Sequence, residues 1–231
     1  MTTRAAAKAF FSAGTNRAMF RFTLMNHLCK DLEQVADTTR PPDRIRQDVS
    51  RSPGGDSRVF LNNCVGCHSG MDPMAQAYAY YDYEYDANTD PDGALGQLVY
   101  NTTGETDETT GTRVQDKYHI NSANFEPGYV TPDDDWENYW RKGPNENLGW
   151  NITGQAPANG SGEGAKSMGR ELANSSAFAE CQVTKVFQNV CLRSPATTAD
   201  RSQIGTMIES FKSGYNLKDV FAQSAVYCMG E

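Results

Sequence analysis

The clearest hydrophobic pattern lies in the last third of the chain, where apolar residues recur every three to four positions. The first apolar stripe predicts a helix over residues 176–193, and the second predicts a helix over residues 199–213. Gly214 is expected to end that helix, and Asn216 to cap a third. Because the connections are short, consecutive helices should run antiparallel, which predicts a three-helix bundle within residues 165–231.

The N-terminal part shows a second helical pattern. Apolar side chains repeat at intervals of four between residues 20 and 32, and Thr15 is a suitable N-cap, so residues 5–35 are predicted to be helical. Residues 38–55 are rich in proline and arginine and predict a loop. The helix and the loop together form the first predicted unit, residues 1–57.

The middle unit, residues 58–164, combines short elements with long loops. A helix is predicted over residues 59–67, with Gly70 at its end. A second helix is predicted to begin after Thr131, where a proline and three aspartates follow, and to end at Gly143.

Two weaker patterns lie between these predicted helices. Alternating apolar and polar residues predict a hairpin that pairs residues 97–102 with residues 112–118. Residues 88–93 carry the alternating oxygen ligands of a calcium loop, but Val99 stands where that loop needs a bidentate glutamate. The pattern therefore favours an acidic turn over a calcium site.

Composition narrows the range of partners. The net charge is −8, the isoelectric point is about 4.9 and the mean hydropathy is −0.64. No basic stripe is present to neutralise phosphates, so nucleic acid is not expected as a partner. No apolar run is long enough to predict a membrane span. An acidic surface instead suits a partner protein with a basic docking face.

The pentapeptide CVGCH, residues 64–68, is the part of the sequence that indicates a cofactor. Two cysteines separated by two residues and followed by histidine form the attachment pattern of a c-type haem. On one turn of helix, Cys64 and Cys67 reach the two vinyl groups, and His68 points at the iron. A zinc half-site would need a second pair of soft ligands, and a dithiol redox pair would need a βαβ setting. One covalent haem c is therefore the predicted cofactor.

The remaining haem contacts are harder to assign. Met71 follows His68 by three residues and lies on the same side of the haem, so it cannot easily reach the opposite face. His119 has enough chain before it to cross over and is the favoured candidate for the sixth ligand, ahead of Met168, Met74 and His27. The alternative is a loop or strand histidine on the surface. Met71, Tyr78 and Tyr81 are expected to line the cofactor pocket.

The other four cysteines form an even set, which predicts two disulfides in an exported protein. Cys181 and Cys191 are about 15 Å apart along one helix, too far to pair. The antiparallel helices bring Cys191 and Cys228 to one end and leave Cys181 for Cys29. Free, buried thiols are the alternative.

Two blocks resemble bacterial domains of unknown function. CVGCHSGMDPMAQAYAYYD, residues 64–82, resembles the cytochrome-like domain numbered 1588, with the pattern C-x-x-C-H-x-x-[IM]-D-P-x-G-F-A-L-E-x-F-D. Residues within 165–228 resemble the domain numbered 1585, although Leu192 replaces its glycine before Arg193. The resemblance implies haem and export, and often such modules close a longer chain. It implies no known reaction.

These observations predict a mainly α protein, in which a cytochrome c-like haem-binding domain with long loops and a short hairpin packs on the C-terminal helical bundle. The favoured interpretation is a monohaem c-type cytochrome that carries single electrons in the periplasm or outside the cell. Residues 1–22 lack the apolar core of a secretory signal, so the signal is expected to lie outside this numbering. The alternatives are a haem enzyme with an open sixth position, acting on peroxide or oxygen, and a docking subunit of an extracellular assembly.

Overall fold

The computed structural model describes residues 3–12, 14–101, 104, 106, 108, 111–115, 118 and 124–229. The described chain is mainly α-helical, as predicted. Its α-helices are α1 (Arg4–Phe10), α2 (Arg17–Thr23), α3 (Ser57–Val59), α4 (Val65–Ala75), α5 (Gly164–Ala173), α6 (Ser176–Cys191), α7 (Thr198–Gly214) and α8 (Leu217–Cys228). Its strands are β1 (Tyr81–Glu84), β2 (Gln97–Tyr100), β3 (Asp135–Glu137) and β4 (Ser161–Glu163). Shorter helical turns are Leu24–Leu28 and Phe60–Cys64, of π type, and Leu32–Val35, Pro53–Gly55, Gln76–Tyr78, Tyr139–Arg141 and Gly143–Leu148, of 3-10 type.

The prediction of one continuous helix over residues 5–35 is wrong. Asn16 has a φ of 69°, in the left-handed region, and separates α1 from α2. Thr15 is therefore not the N-cap; Asn16 takes that position. The π turn that continues α2 ends at Cys29, which also has a left-handed backbone. The apolar spacing of four matches a helical segment only from α2 to the π turn, and Leu32 lies in a separate 3-10 turn.

The helix that carries CVGCH is longer than predicted. It runs from α3 through a π turn into α4 and does not end at Gly70. Gly70 instead allows a close approach: a Cβ there would lie 2.0 Å from Nε1 of the fully buried Trp140. Glycine is present at this position because of packing, so the prediction that it ends the helix is wrong.

The helix predicted between Thr131 and Gly143 is also wrong. This segment forms β3, which pairs antiparallel with β4 so that Trp136 lies opposite Gly162. Trp136 and Trp140 are both buried, but a strand followed by a 3-10 turn brings them to the core. Pairing with a distant strand overrode the local helix signal.

The predicted hairpin has a different partner strand. β2 pairs with β1, with Tyr81 opposite Tyr100. The described residues of the predicted partner, 112–115 and 118, form no strand. The acidic turn of residues 88–93 lies between β1 and β2. Within it the Asp90 carboxylate accepts hydrogen bonds from two backbone N–H groups, those of Ala94 and Leu95, at 2.8 and 2.7 Å. Such a turn is stabilised without an ion.

The C-terminal helices α6, α7 and α8 are confirmed, with bounds close to the predicted ones. Gly214 is the last residue of α7, and the Asn216 side chain caps α8 by accepting a hydrogen bond from the Lys218 N–H at 3.1 Å. The three helices share an apolar core that includes Phe187, Met207 and Val220.

Both predicted disulfides are confirmed. Cys29 pairs with Cys181 at a Cα separation of 5.3 Å, and Cys191 pairs with Cys228 at 5.6 Å. The first disulfide ties the end of the N-terminal π turn to α6, and the second joins the end of α6 to the end of α8. No helix in the described part of the chain is both long and apolar enough to cross a membrane.

Substituting Gly70 tests the packing of α4 against Trp140. Gly70→Ala should lower the free energy of unfolding by about 1–3 kcal/mol, because the added methyl group overlaps a buried indole. Gly205→Ala is the matched control: it lies within α7 with nothing within 4 Å of an added Cβ, and should stabilise by about 0.5–1 kcal/mol. Urea unfolding of both variants measures the difference, and equal midpoints would contradict this account.

Candidate functional site

Cys64, Cys67 and His68 occupy one face of the helical stretch that contains α4. Their spacing of three and four residues places the side chains next to one another on consecutive turns. All three are partly exposed, whereas Val65, Gly66 and Ser69 beside them are buried. Cys64 and Cys67 are free thiols, while the other four cysteines form disulfides.

The Cys67 side of this face packs against residues 31–38. The Cys67 thiol lies 3.6 Å from the carbonyl oxygen of Leu32, and the Asp37 N–H donates to the Gly66 carbonyl at 2.8 Å. Burial raises the pKa of Cys67, and the nearby negative charge of Glu33 adds to the effect. A raised pKa keeps the thiol protonated, which disfavours the dithiol redox interpretation, since nucleophilic cysteines need a lowered pKa.

The Cys64 side is apolar. Cys64 packs against a small buried cluster, whose members are Ile45, Val49, Phe60 and Val65. Leu61, one turn before Cys64, is 57% exposed, which is unusual for a large aliphatic side chain in this helix. The face that carries the two thiols is therefore bordered by apolar side chains, as a flat apolar cofactor would require.

The imidazole of His68 is held from behind by a buried carboxylate. Nδ1 of His68 lies 3.0 Å from Oδ1 of Asp72, one turn later on α4. The Asp72 carboxylate is completely buried, and Arg17 of α2 donates to both of its oxygens, at 2.9 and 3.1 Å. The Arg46 backbone N–H donates to it as well, at 3.3 Å.

A second carboxylate extends this network. Asp48 accepts two hydrogen bonds from Arg17, at 2.8 and 2.7 Å, and two from Arg46, at 2.9 and 3.4 Å. Burial alone would raise the pKa of Asp72, but the Arg17 charge and the His68 hydrogen bond hold it well below its usual range. Burial also opposes ionisation of Asp48, yet hydrogen bonds from Arg17 lower the pKa of Asp48 to about 2.

The ionised state of Asp72 decides which ring nitrogen of His68 carries the proton. An ionised carboxylate can only accept, so Nδ1 donates to it, and Nε2 is the ring nitrogen left to bind a metal. This is the arrangement in which proteins present histidine to a metal: the second ring nitrogen is fixed by a carboxylate, which also raises the basicity of the first. The site thus offers two free thiols and one oriented imidazole nitrogen.

The other predicted haem contacts lie in the core or at its edge. Met71 is buried in the main core on the same helix. Tyr78 is fully buried about 15 Å along the helix axis from His68, with its hydroxyl 2.9 Å from that of Thr23. Tyr81 is half-buried and stacks on Phe11, with ring centroids 5.7 Å apart. His119, the predicted sixth ligand, lies outside the described residues.

Three residues of the site were missed from sequence. Asp72 stands four residues after His68, a spacing that could have indicated the contact once the helix was known to continue past Gly70. Arg17 and Asp48 gave no such signal, since they reach the site from segments far away in the chain. In the part of the chain that the structure describes, no group of three or more histidine, cysteine or acidic side chains is arranged to hold a metal ion.

Comparisons with known proteins gave no match to a family model, a curated protein or a solved structure. The assignment of function must therefore rest on the residues and geometry of the site itself.

The network predicts a specific loss of stability in acid. Asp48 has an ordinary pKa of 3.8 and a folded-state pKa of about 2, so the unfolded chain takes up the proton first. Its contribution, on the order of 2 kcal/mol, is present above about pH 4 and is lost as the pH falls towards 2.

Urea unfolding at a series of pH values checks this prediction. Asp48→Asn should lower stability at neutral pH, because two guanidinium groups lose an ionised acceptor, and should flatten the fall in stability between about pH 4 and pH 2. Asp92→Asn, at an exposed position, should keep the wild-type pH dependence. An unchanged slope in the Asp48 variant would contradict the prediction.

Proposed function

We propose that this chain is a monohaem c-type cytochrome that carries single electrons outside the cytoplasm. The observation that carries the proposal is the pairing of two free, adjacent thiols with a histidine whose Nδ1 is held by a buried carboxylate. A zinc site would need a further ligand, and among the described residues no group of three or more histidine, cysteine or acidic side chains is arranged to hold a metal ion. A catalytic dithiol would need a lowered thiol pKa.

Each residue of the face has a distinct role in this proposal. The Cys64 and Cys67 thiols would each add across one vinyl group, forming the two thioether bonds. His68 would ligate the iron through Nε2. A haem held there supplies an iron centre that changes between the ferric and ferrous states by one electron.

The surrounding protein supports one-electron transfer by holding the ligand still. Asp72 fixes the ring of His68, Arg17 fixes Asp72, and Asp48 fixes Arg17. Because each member has several hydrogen bonds, the imidazole has little freedom to reorient when the charge on the iron changes. The negative hydrogen-bond partner also makes His68 a stronger donor, which favours the ferric state.

The finer description of the fold belongs to the same proposal. Residues 58–164 would form a cytochrome c-like domain, and α6, α7 and α8 would form the C-terminal bundle. The two blocks that resemble the domains numbered 1588 and 1585 fall in these two parts. Two disulfides are compatible with an oxidising compartment, either the periplasm or the exterior.

The net charge of −8 supports a redox partner with a basic docking face, since opposite charges speed the encounter. A docking subunit of a larger assembly is the second candidate. It is favoured by exposed apolar side chains on and next to α8: Phe221 is 48% exposed, Val226 is 75% exposed and Met229 is 84% exposed.

Covalent attachment is the first test of the proposal. Protein exported together with a haem-attachment system should gain the mass of one haem, and its colour should stay with the polypeptide after acid–acetone extraction. Cys64→Ala and Cys67→Ala should each weaken that retention, because one thioether bond is lost. The double variant Cys191→Ser/Cys228→Ser should keep the haem. Wild-type haem that extracts freely would contradict the proposal.

The sixth position separates an electron carrier from a haem enzyme. With His119 as sixth ligand, we expect a ferrous spectrum that carbon monoxide does not change, and an unchanged ferric spectrum on adding cyanide or peroxide. His119→Ala should then bind carbon monoxide. A far-red thioether-to-iron charge-transfer band would contradict His119, and rapid reaction of the wild type with peroxide would favour the enzyme.

A further inference from the structure

Arg51 is a half-buried cation with an unusual set of contacts. Its guanidinium carbon lies 4.8 Å from the ring centroid of Phe60 and 4.5 Å from that of Phe125. Its N–H groups donate to two backbone carbonyls, those of Val49 at 2.8 Å and Ile45 at 3.1 Å. Among the described residues, no carboxylate forms an ion pair with Arg51.

The nearest carboxylates are already engaged by other groups. Asp72 is bound by Arg17 and His68, and Asp48 is bound by Arg17 and Arg46. Among the described side chains, these two carboxylates therefore face three guanidinium groups, those of Arg17, Arg46 and Arg51. The cluster is left with one excess positive charge in a chain whose net charge is −8.

This excess charge is costly in its surroundings. Burial lowers the pKa of Arg51, and the nearby charges of Asp72 and Asp48 offset this shift only in part. Its two aromatic neighbours offset part of the cost but cannot neutralise the charge. By contrast, the cations Arg17, Arg46 and Arg141 each ion-pair with a buried carboxylate.

Arg51 also borders the face that carries the thiols. It covers Phe60, which lies one turn before Cys64 on the same helical stretch. It donates to Ile45 and Val49, the two loop residues of the apolar cluster against which Cys64 packs. Side chain and carbonyl contacts thus fix the guanidinium at the edge of the proposed cofactor site.

We propose that Arg51 binds a propionate of the haem, an inference that rests on the proposed function. A guanidinium has five N–H donors in a planar fork, and in the described part of the chain Arg51 makes two hydrogen bonds to other residues. A propionate carboxylate would match the remaining donors and would supply negative charge beside the cation. Arg51 would then help to orient the bound haem.

The experiment compares Arg51→Gln with Arg51→Lys and with Arg58→Gln as the matched control. Arg58 precedes Phe60 by two residues, but its side chain is 83% exposed and pairs with Asp56. Three properties of each variant are measured: haem retention under denaturing conditions, the reduction potential and the propionate bending bands of the resonance Raman spectrum.

We expect Arg51→Gln to keep covalent haem, because Cys64 and Cys67 are intact. Its reduction potential should shift to a more negative value, since loss of a nearby positive charge stabilises the ferric state. The propionate bending bands should shift as the hydrogen bond is lost. Arg58→Gln should show neither shift. Arg51→Lys should keep a potential near that of the wild type but change the bands, because the fork is lost.

The failures of the two proposals can be told apart. A wild-type protein without covalent haem would overturn the proposed function and the role of Arg51 with it. A haem-bearing Arg51→Gln protein with wild-type bands, or with a shift no larger than that of Arg58→Gln, would overturn the role of Arg51 alone. If Arg51→Gln does not accumulate in folded form, unchanged bands in Arg51→Lys would overturn it.

Discussion

The structure depends on the burial of one ionised carboxylate, that of Asp72. A carboxylate without access to water is strongly unfavourable unless charged or hydrogen-bonded partners surround it. Asp72 recruits these partners from three different places: His68 from its own helix, Arg17 from α2 and the Arg46 backbone from the loop before α3. Removing Arg17 would leave the charge buried and uncompensated, so the contact holds these segments together.

The Asp72 carboxylate contributes both to the stability of the fold and to the geometry of the site. Its pairing with Arg17 fixes the position of α2 against α4, and its hydrogen bond with His68 fixes the imidazole. α2 is also held at the other end of its helical stretch, where Cys29 is bonded to Cys181 of α6. This stretch therefore connects the thiol-bearing helix to the C-terminal helices by one ionic and one covalent attachment.

The parts of the fold that were predicted from sequence are those with local causes. α6, α7 and α8 follow from apolar stripes and from caps such as Asn216, all of which act within a few residues. The failed predictions involve distant partners. Trp136 and Trp140 have the spacing of residues on one face of a helix, but the segment that contains Trp136 pairs with β4 and is a strand. The sequence around Gly70 predicts a helix end because it does not show that the Trp140 indole, from another segment, packs against this glycine.

The residues of the site also fall into two groups: those that local sequence indicates and those that depend on distant parts of the chain. The thiols and His68 are recognisable because their spacing on one turn is itself the chemical requirement. The contact between Asp72 and His68 can be inferred in the same way, since Asp72 stands four residues after His68. Arg17 is not, because it lies 55 positions from Asp72 and its role depends on how α2 packs.

The long disulfide has a consequence for biosynthesis. Cys29 and Cys181 are separated by 152 positions, whereas Cys64 and Cys67 lie much closer to Cys29 along the chain. A chain emerging from its N-terminus into an oxidising compartment presents these three thiols together, before the correct partner has appeared. Loop entropy then favours the wrong pairing. If the chain is exported as proposed, productive maturation would require that Cys64 and Cys67 be removed from thiol exchange early. Attachment of the proposed haem would then protect the disulfide pattern as well as supply the chemistry.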